Sequence, residues 1–184
     1  DSGSYSFCEL NTDGSAGMVV TDAVCQAVRT TPSFEEFASD HPGFRQYDLC
    51  GSWIDALFET YAEWKLAHPR RTEDSARSDD GARVDEGLYA PQSKIYPASV
   101  AIVDYSESID LEDAAHFVDL MRRRGVVARF ADVRDLRIGE DESGARRLCD
   151  AAGPIDCVWR RAVTGELWDK PCDGRSALIE AAQE

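Results

Sequence analysis

The spacing of apolar positions changes several times along the chain, and each change marks an element. Residues 5–10 are aromatic and partly alternating and run into Asn11-Thr12-Asp13-Gly14, the pattern of a strand ending in a turn. Val20, Val24 and Val28 then recur at helical spacing, with Asp22 near the start, which predicts a helix over 18–28. Thr31-Pro32-Ser33 breaks the pattern, and Phe34-Glu35-Glu36-Phe37 suggests a short helical turn before His41-Pro42-Gly43. A long helix is predicted over 48–67, where Leu49, Trp53, Leu57, Tyr61 and Trp64 form one stripe and Ile54 and Phe58 widen it. A face that broad is expected to be buried. His68-Pro69 ends it.

Residues 70–87 mix charges and small residues with almost nothing apolar, so they read as a loop or linker. Beyond them the character changes. Residues 99–104 (SVAIVD) form the continuous apolar run of a strand covered on both faces, and Leu111, Ala114, Val118 and Met121 follow at helical spacing. Arg122-Arg123-Arg124 before Gly125 fits a helix C-terminus, with cations at the negative end of the dipole and glycine as the cap, in preference to an anion site. A strand is predicted over 126–130, so 99–130 is a strand, helix, strand unit. Such a unit implies a parallel pair with a right-handed crossover. A third strand is predicted over 155–159 and a helix over 175–182. The expected fold class is α/β and Rossmann-like, a short parallel sheet preceded by a strand and a helical segment. The expected divisions are 1–69, a linker or loop at 70–92, and an α/β domain at 93–184.

Composition narrows the function. The 184 residues suffice for a real core, and no apolar run in a chain that is 43% hydrophobic approaches the ~20 residues of a membrane helix. A formal net charge of -15 argues against nucleic-acid or membrane binding through broad electrostatics. No basic segment followed by an apolar one opens the sequence, so a cytoplasmic setting is the default expectation. The six cysteines include no C-x-x-C pair, and reduced, mostly buried thiols are expected. His41, His68 and His116 share no motif, and Gly-x-Ser-x-Gly, P-loop and Gly-x-Gly-x-x-Gly patterns are absent. Asp104 closes an apolar strand as in a receiver domain, but Asp156, the candidate for a second acidic strand end, falls inside its predicted strand.

The chemistry concentrates at residues 5–18 (YSFCELNTDGSAGM). Alternation puts the side chains of Glu9 and Asn11 on the same face of the predicted strand. A carboxylate beside an amide oxygen suits a hard cation such as magnesium, although a strand-end carboxylate followed by a turn-forming asparagine is the better reading of these residues alone. Gly14 and Gly17 would let the following turn approach a ligand closely.

The string ELNTDGSAGM resembles the Glu-x-Asn segment of ATP-grasp ligases, and is similar to both D-alanine ligases and glutathionylspermidine synthase-like proteins. In the latter the ATP-grasp is circularly permuted, so a preATP-grasp α/β domain follows the Glu-x-Asn strand, the order seen here. The later string PIDCVWRR (154–161) also resembles that family's strand ending in a hydrophobic-aromatic-Arg-Arg sequence. The resemblance implies a Rossmann-like preATP-grasp domain of a carboxylate-amine ligase that activates a carboxylate as an acyl phosphate for attack by an amine. It implies Mg and ATP in the full-length parent, with Glu9 and Asn11 as metal ligands. The turn carrying Asp13 and Ser15 would lie near a small-molecule or peptide substrate. Arg160 and Arg161 end a predicted parallel strand, where such sheets place their ligand crevice, and alternation would point at most one of them into it. Gly14-Ser15 replaces the Thr-Pro of the family turn. A further acidic ligand is expected before Glu9 and a glycine-rich, lysine-bearing lid after the α/β domain. Lys65, Lys94 and Lys170 lie in no glycine-rich loop. The expectation is a ligase fragment inactive by itself; the alternative is a noncatalytic binding or scaffold module on the same fold.

Overall fold

The computed structural model describes residues 13–14, 16–68, 95–141 and 143–183. The predicted strand at 5–10, the metal-ligand candidates Glu9 and Asn11, Ser15 and the whole 70–92 segment lie outside them. Three helices come first: α1 (Met18–Arg29), α2 (Pro32–Asp40) and α3 (Leu49–Ala67). The short turn expected at Phe34 is a full helix. Thr31 caps it by accepting a hydrogen bond from the Phe34 N–H (3.3 Å), and Pro32 takes the first helical position, where it loses no intrahelical bond. Asp48 caps α3 through the Gly51 N–H (2.8 Å).

The second half alternates as expected through β1 (Ser99–Asp104), α4 (Leu111–Arg123) and β2 (Val127–Asp132). It then inserts β3 (Arg137–Glu140), β4 (Arg146–Asp150) and the two-residue β5 (Gly153–Pro154) before β6 (Cys157–Arg160), α5 (Thr164–Asp169) and α6 (Asp173–Ala181). Strands β2, β1 and β6 form a parallel sheet in that order, with Asp104 level with Asp132 and Val103 level with Arg160. Strands β3, β4 and β5 make a separate antiparallel sheet that the hydropathy pattern did not predict. These strands are too short and too rich in arginine and acid to show a period. The predicted strand at 155–159 begins later, at Cys157, because Asp156 is a cap: its carboxylate accepts from the Ala98 N–H (3.0 Å) and the Ser99 N–H (3.3 Å). Gly125 has φ 82 and ends α4 as expected, with the Val126 N–H returning to the Met121 carbonyl (3.2 Å).

Strand β1 is buried from Val100 to Asp104, and its alternation splits the core in two. Val100 and Ile102, with Trp159, face Cys50, Ile54 and Phe58 of α3 and Phe117 and Met121 of α4. Ala101 and Val103 face the other way, against Val133, Leu148 of β4, and Ala177 and Leu178 of α6. Two apolar stripes are only partly covered, and for Trp64, in the face expected to be buried, this departs from expectation. Val20, Val24 and Val28 of α1 are 61%, 56% and 48% exposed, and Trp64 near the end of α3 is half-exposed. A helical period places residues on one face, but only a neighbouring element buries that face. Among the described residues no helix is long and apolar enough to cross a membrane.

Gly174, in the first turn of α6, presses its backbone on the Val133 carbonyl, and a methyl group there would overlap that oxygen. The substitution Gly174→Ala is therefore expected to destabilise the fold by about 1–3 kcal/mol despite the better helix propensity of alanine, read as a lower urea midpoint.

Candidate functional site

The parallel strands end in charged residues on one edge of the sheet, where open α/β sheets form their ligand crevice. Asp104 closes β1, Asp132 closes β2, and Arg160 closes β6 with Arg161 directly after it. Alternation sends the two arginines to different surroundings, as expected, but each meets a carboxylate. Arg160 pairs with Asp13 (3.0 Å) and also donates to the Ala162 carbonyl. Asp13 in turn accepts from the Thr164 N–H (2.9 Å), the main cause of its lowered pKa, with Arg160 acting in the same direction. Next to it Gly14 has φ 66, and a side chain there would run into Val163 and the Arg161 carbonyl. The glycine expected to approach a ligand instead lets the turn close onto the end of β6.

Arg161 is buried and pairs with buried Asp113, from the first turn of α4, at 2.5 Å, with its guanidinium 5.5 Å from the Trp159 ring centre. So buried a pair leaves Arg161 an anchor between β6 and α4. Neither arginine is presented without a carboxylate partner to an incoming anion.

On the other side of β1, Asp132 accepts from Arg134 (2.6 Å to Nη2), from the Arg134 N–H (2.9 Å) and from the Ser106 N–H (2.9 Å). The Arg134 guanidinium is the chief cause holding its carboxyl well below the usual carboxylate range. Arg134 also reaches Glu107 (2.7 Å), and Lys170 reaches both Glu107 (3.2 Å) and Glu166 (3.0 Å). The Lys170 ammonium stands 4.4 Å from the centre of the Tyr105 ring. Ser108 donates to Glu166 (2.5 Å), and this bond, with Lys170 next, lowers the Glu166 pKa.

Asp104 differs from all of these. It is 5% exposed, and Oδ1 accepts from the Tyr105 N–H (2.8 Å). Burial pushes its carboxyl up and Glu166 adds to this, against the Tyr105 N–H, Arg161 and Lys170.

No protein-family model, curated protein or solved structure matches the chain. The site therefore rests on its own geometry. A carboxylate and an amide oxygen, as in Glu9 and Asn11, are donors of the right chemistry for magnesium. Among the described residues no group of three His, Cys, Asp or Glu side chains could hold a metal, and Asp13, the acid nearest that pair in sequence, is taken by Arg160 and Thr164.

Asp13, Arg160 and Arg161, predicted as site residues, are brought to one corner. Asp113, Asp132, Arg134, Glu166 and Lys170 were not predicted, and Asp104 was weighed only as a receiver-type acid. One sequence signal was there to be read: apolar runs ending in aspartate at both 104 and 132.

A carboxyl whose folded pKa lies above its unfolded value favours the fold only while protonated. That contribution is present below the unfolded value, near ~4, and is lost as the pH rises through the folded value. Asp104→Asn, which keeps the shape and drops the charge, is expected to raise the melting temperature at pH 7, with the gain shrinking toward pH 4. Thermal unfolding of both proteins across that range checks it.

Proposed function

We propose that this chain is the substrate-side, preATP-grasp portion of an ATP-dependent carboxylate-amine ligase of the ATP-grasp, glutathionylspermidine synthase-like kind. The observation that carries the reading is the meeting of its two motifs. The turn after Glu9 and Asn11 and the strand-end Arg160-Arg161 sequence are about 150 residues apart in the chain, yet Asp13 is held by Arg160 and by the Thr164 N–H at the edge of the parallel sheet.

Bound magnesium would neutralise nucleotide phosphates and so favour phosphoryl transfer to a carboxylate. The chain's own part is positional. Arg160 and the Thr164 N–H fix the turn, Gly14 allows it to sit against β6, and Arg161 and Asp113 lock the strand end to α4. Lysines that grip the nucleotide are expected elsewhere in the parent, since Lys170 is engaged with Glu107 and Glu166.

The test is ADP release by the parent protein with Mg-ATP and panels of carboxylates and amines. Release should require both substrates and fall at least ~100-fold in Glu9→Gln, with a smaller loss in Arg160→Ala, while calorimetry of the 184-residue chain should give no tight Mg-ATP binding. A parent that releases no ADP under any pairing, or tight nucleotide binding by this chain alone, would overturn the reading; the first result would favour the noncatalytic module.

A further inference from the structure

We propose that the groove between α1 and α4 is a docking site for a basic amphipathic helix of a partner protein. The partner lays an apolar stripe along α1 and directs lysine or arginine side chains at the start of α4. This surface stands on its own geometry, whether or not the parent protein is a ligase.

One wall of the groove is apolar and the other is acidic. Helix α1 contributes Val20, Ala23 and Val24, and α4 with its cap contributes Asp110, Glu112 and His116, around a volume of about 580 Å³. Val20 and Val24 lie one helical turn apart with Val28 a turn further on, so the three form a ridge along α1, and all are exposed. The small side chains of Ala23 and Ala27 leave a furrow beside that ridge. A ridge and furrow of this pitch are what the side chains of a second helix fill. Amphipathic helices normally turn their apolar face to a neighbour, yet only Met18 and Val19 of α1 pack against the core. Exposed apolar positions gathered in one stripe, rather than scattered, mark an interaction surface.

The acidic wall decides the kind of partner. Asp110 and Glu112 are exposed there, and among the described residues no lysine or arginine lines the groove. Asp113, at the same wall, already has Arg161. A lysine or arginine beside the apolar stripe of an incoming helix would therefore meet two carboxylates and no competing cation. The same charges disfavour the other occupants. A second copy would bring its own Asp110 and Glu112 and a further net charge of -15, and an anionic lipid surface would be repelled in the same way. A basic amphipathic helix matches both walls at once, the apolar one by shape and the acidic one by charge.

The experiment titrates the 184-residue chain with a synthetic leucine-lysine peptide of about 14 residues, about four helical turns, whose leucines fall on one helical face. One control peptide replaces every lysine by glutamate. The other keeps the leucine-lysine composition but scrambles the order, so that it has the charge without the stripe. The readout is the methyl resonances of Val20 and Val24. The patterned basic peptide should shift them saturably, become helical on binding and bind more weakly at high salt. Both controls should bind at least ~10-fold more weakly. Val24→Asn and Glu112→Lys, at exposed positions that the fold does not depend on, should each weaken the patterned peptide about 10-fold or more, and Glu112→Gln less. Binding that leaves Val20 and Val24 unshifted, equal binding by the scrambled peptide, or affinity unchanged in both Val24→Asn and Glu112→Lys would overturn the site. So would self-association of the chain that Val24→Asn abolishes, which would assign the face to a second copy.

Discussion

Burial of β1 on both faces is the constraint from which the rest follows. Five consecutive residues of this strand have almost no contact with solvent, and their side chains must alternate between two cores. One core needs α3 and α4 to cover Val100 and Ile102, and the other needs α6 and the antiparallel sheet to cover Ala101 and Val103. Because burial continues to the last residue, Asp104 is carried with the strand into a setting where its charge is poorly solvated. The neighbouring strands are in register with it, so Asp132 and the arginine pair arrive at the same edge.

The charged groups on that edge divide by how well they are matched. Asp132, Asp113 and Asp13 each have a guanidinium; the Asp113–Arg161 pair joins α4 to the end of β6 beside the Phe117–Trp159 ring contact, and the Asp13–Arg160 pair brings the Asp13 turn to the same edge. Arg161 and Asp113 clamp β6 to the start of α4, a buried pair whose value lies in fixing geometry, since removal of either partner would strand the other charge. Asp104 has no such partner. Burial of its charge works against the fold, which is why its carboxyl is pushed up.

The elements legible in the sequence were those whose own residues carry the signal. The unbroken apolar run of β1, the helical spacing of α4 and the Gly125 cap depend on neighbours a few positions away, and they stand as expected. Helix α3 was also legible, though Trp64 was placed in a buried stripe and lies half-exposed. The sheet of β3, β4 and β5 was missed because its strands are short and charged, held by pairing to one another rather than by an alternating face. The shift in the start of β6 has a similar cause, since Asp156 turns its carboxylate to the backbone of residues on another strand 57 positions away.

Local pattern alone thus determined the α/β class, the parallel strand, helix, strand unit and the aspartates and arginines that end its strands, because periodicity and end signals are written within a few residues of each other. Which of those charges would be satisfied was decided only by tertiary structure. Asp13 and Arg160, or Asp113 and Arg161, find each other across long stretches of chain, and nothing in their immediate neighbours announces it. The same packing left α1 with its valine stripe exposed and Asp104 buried without an ion-pair partner among the described residues. A side chain's type is a property of the sequence; whether its charge is matched depends on which distant residues the fold sets beside it.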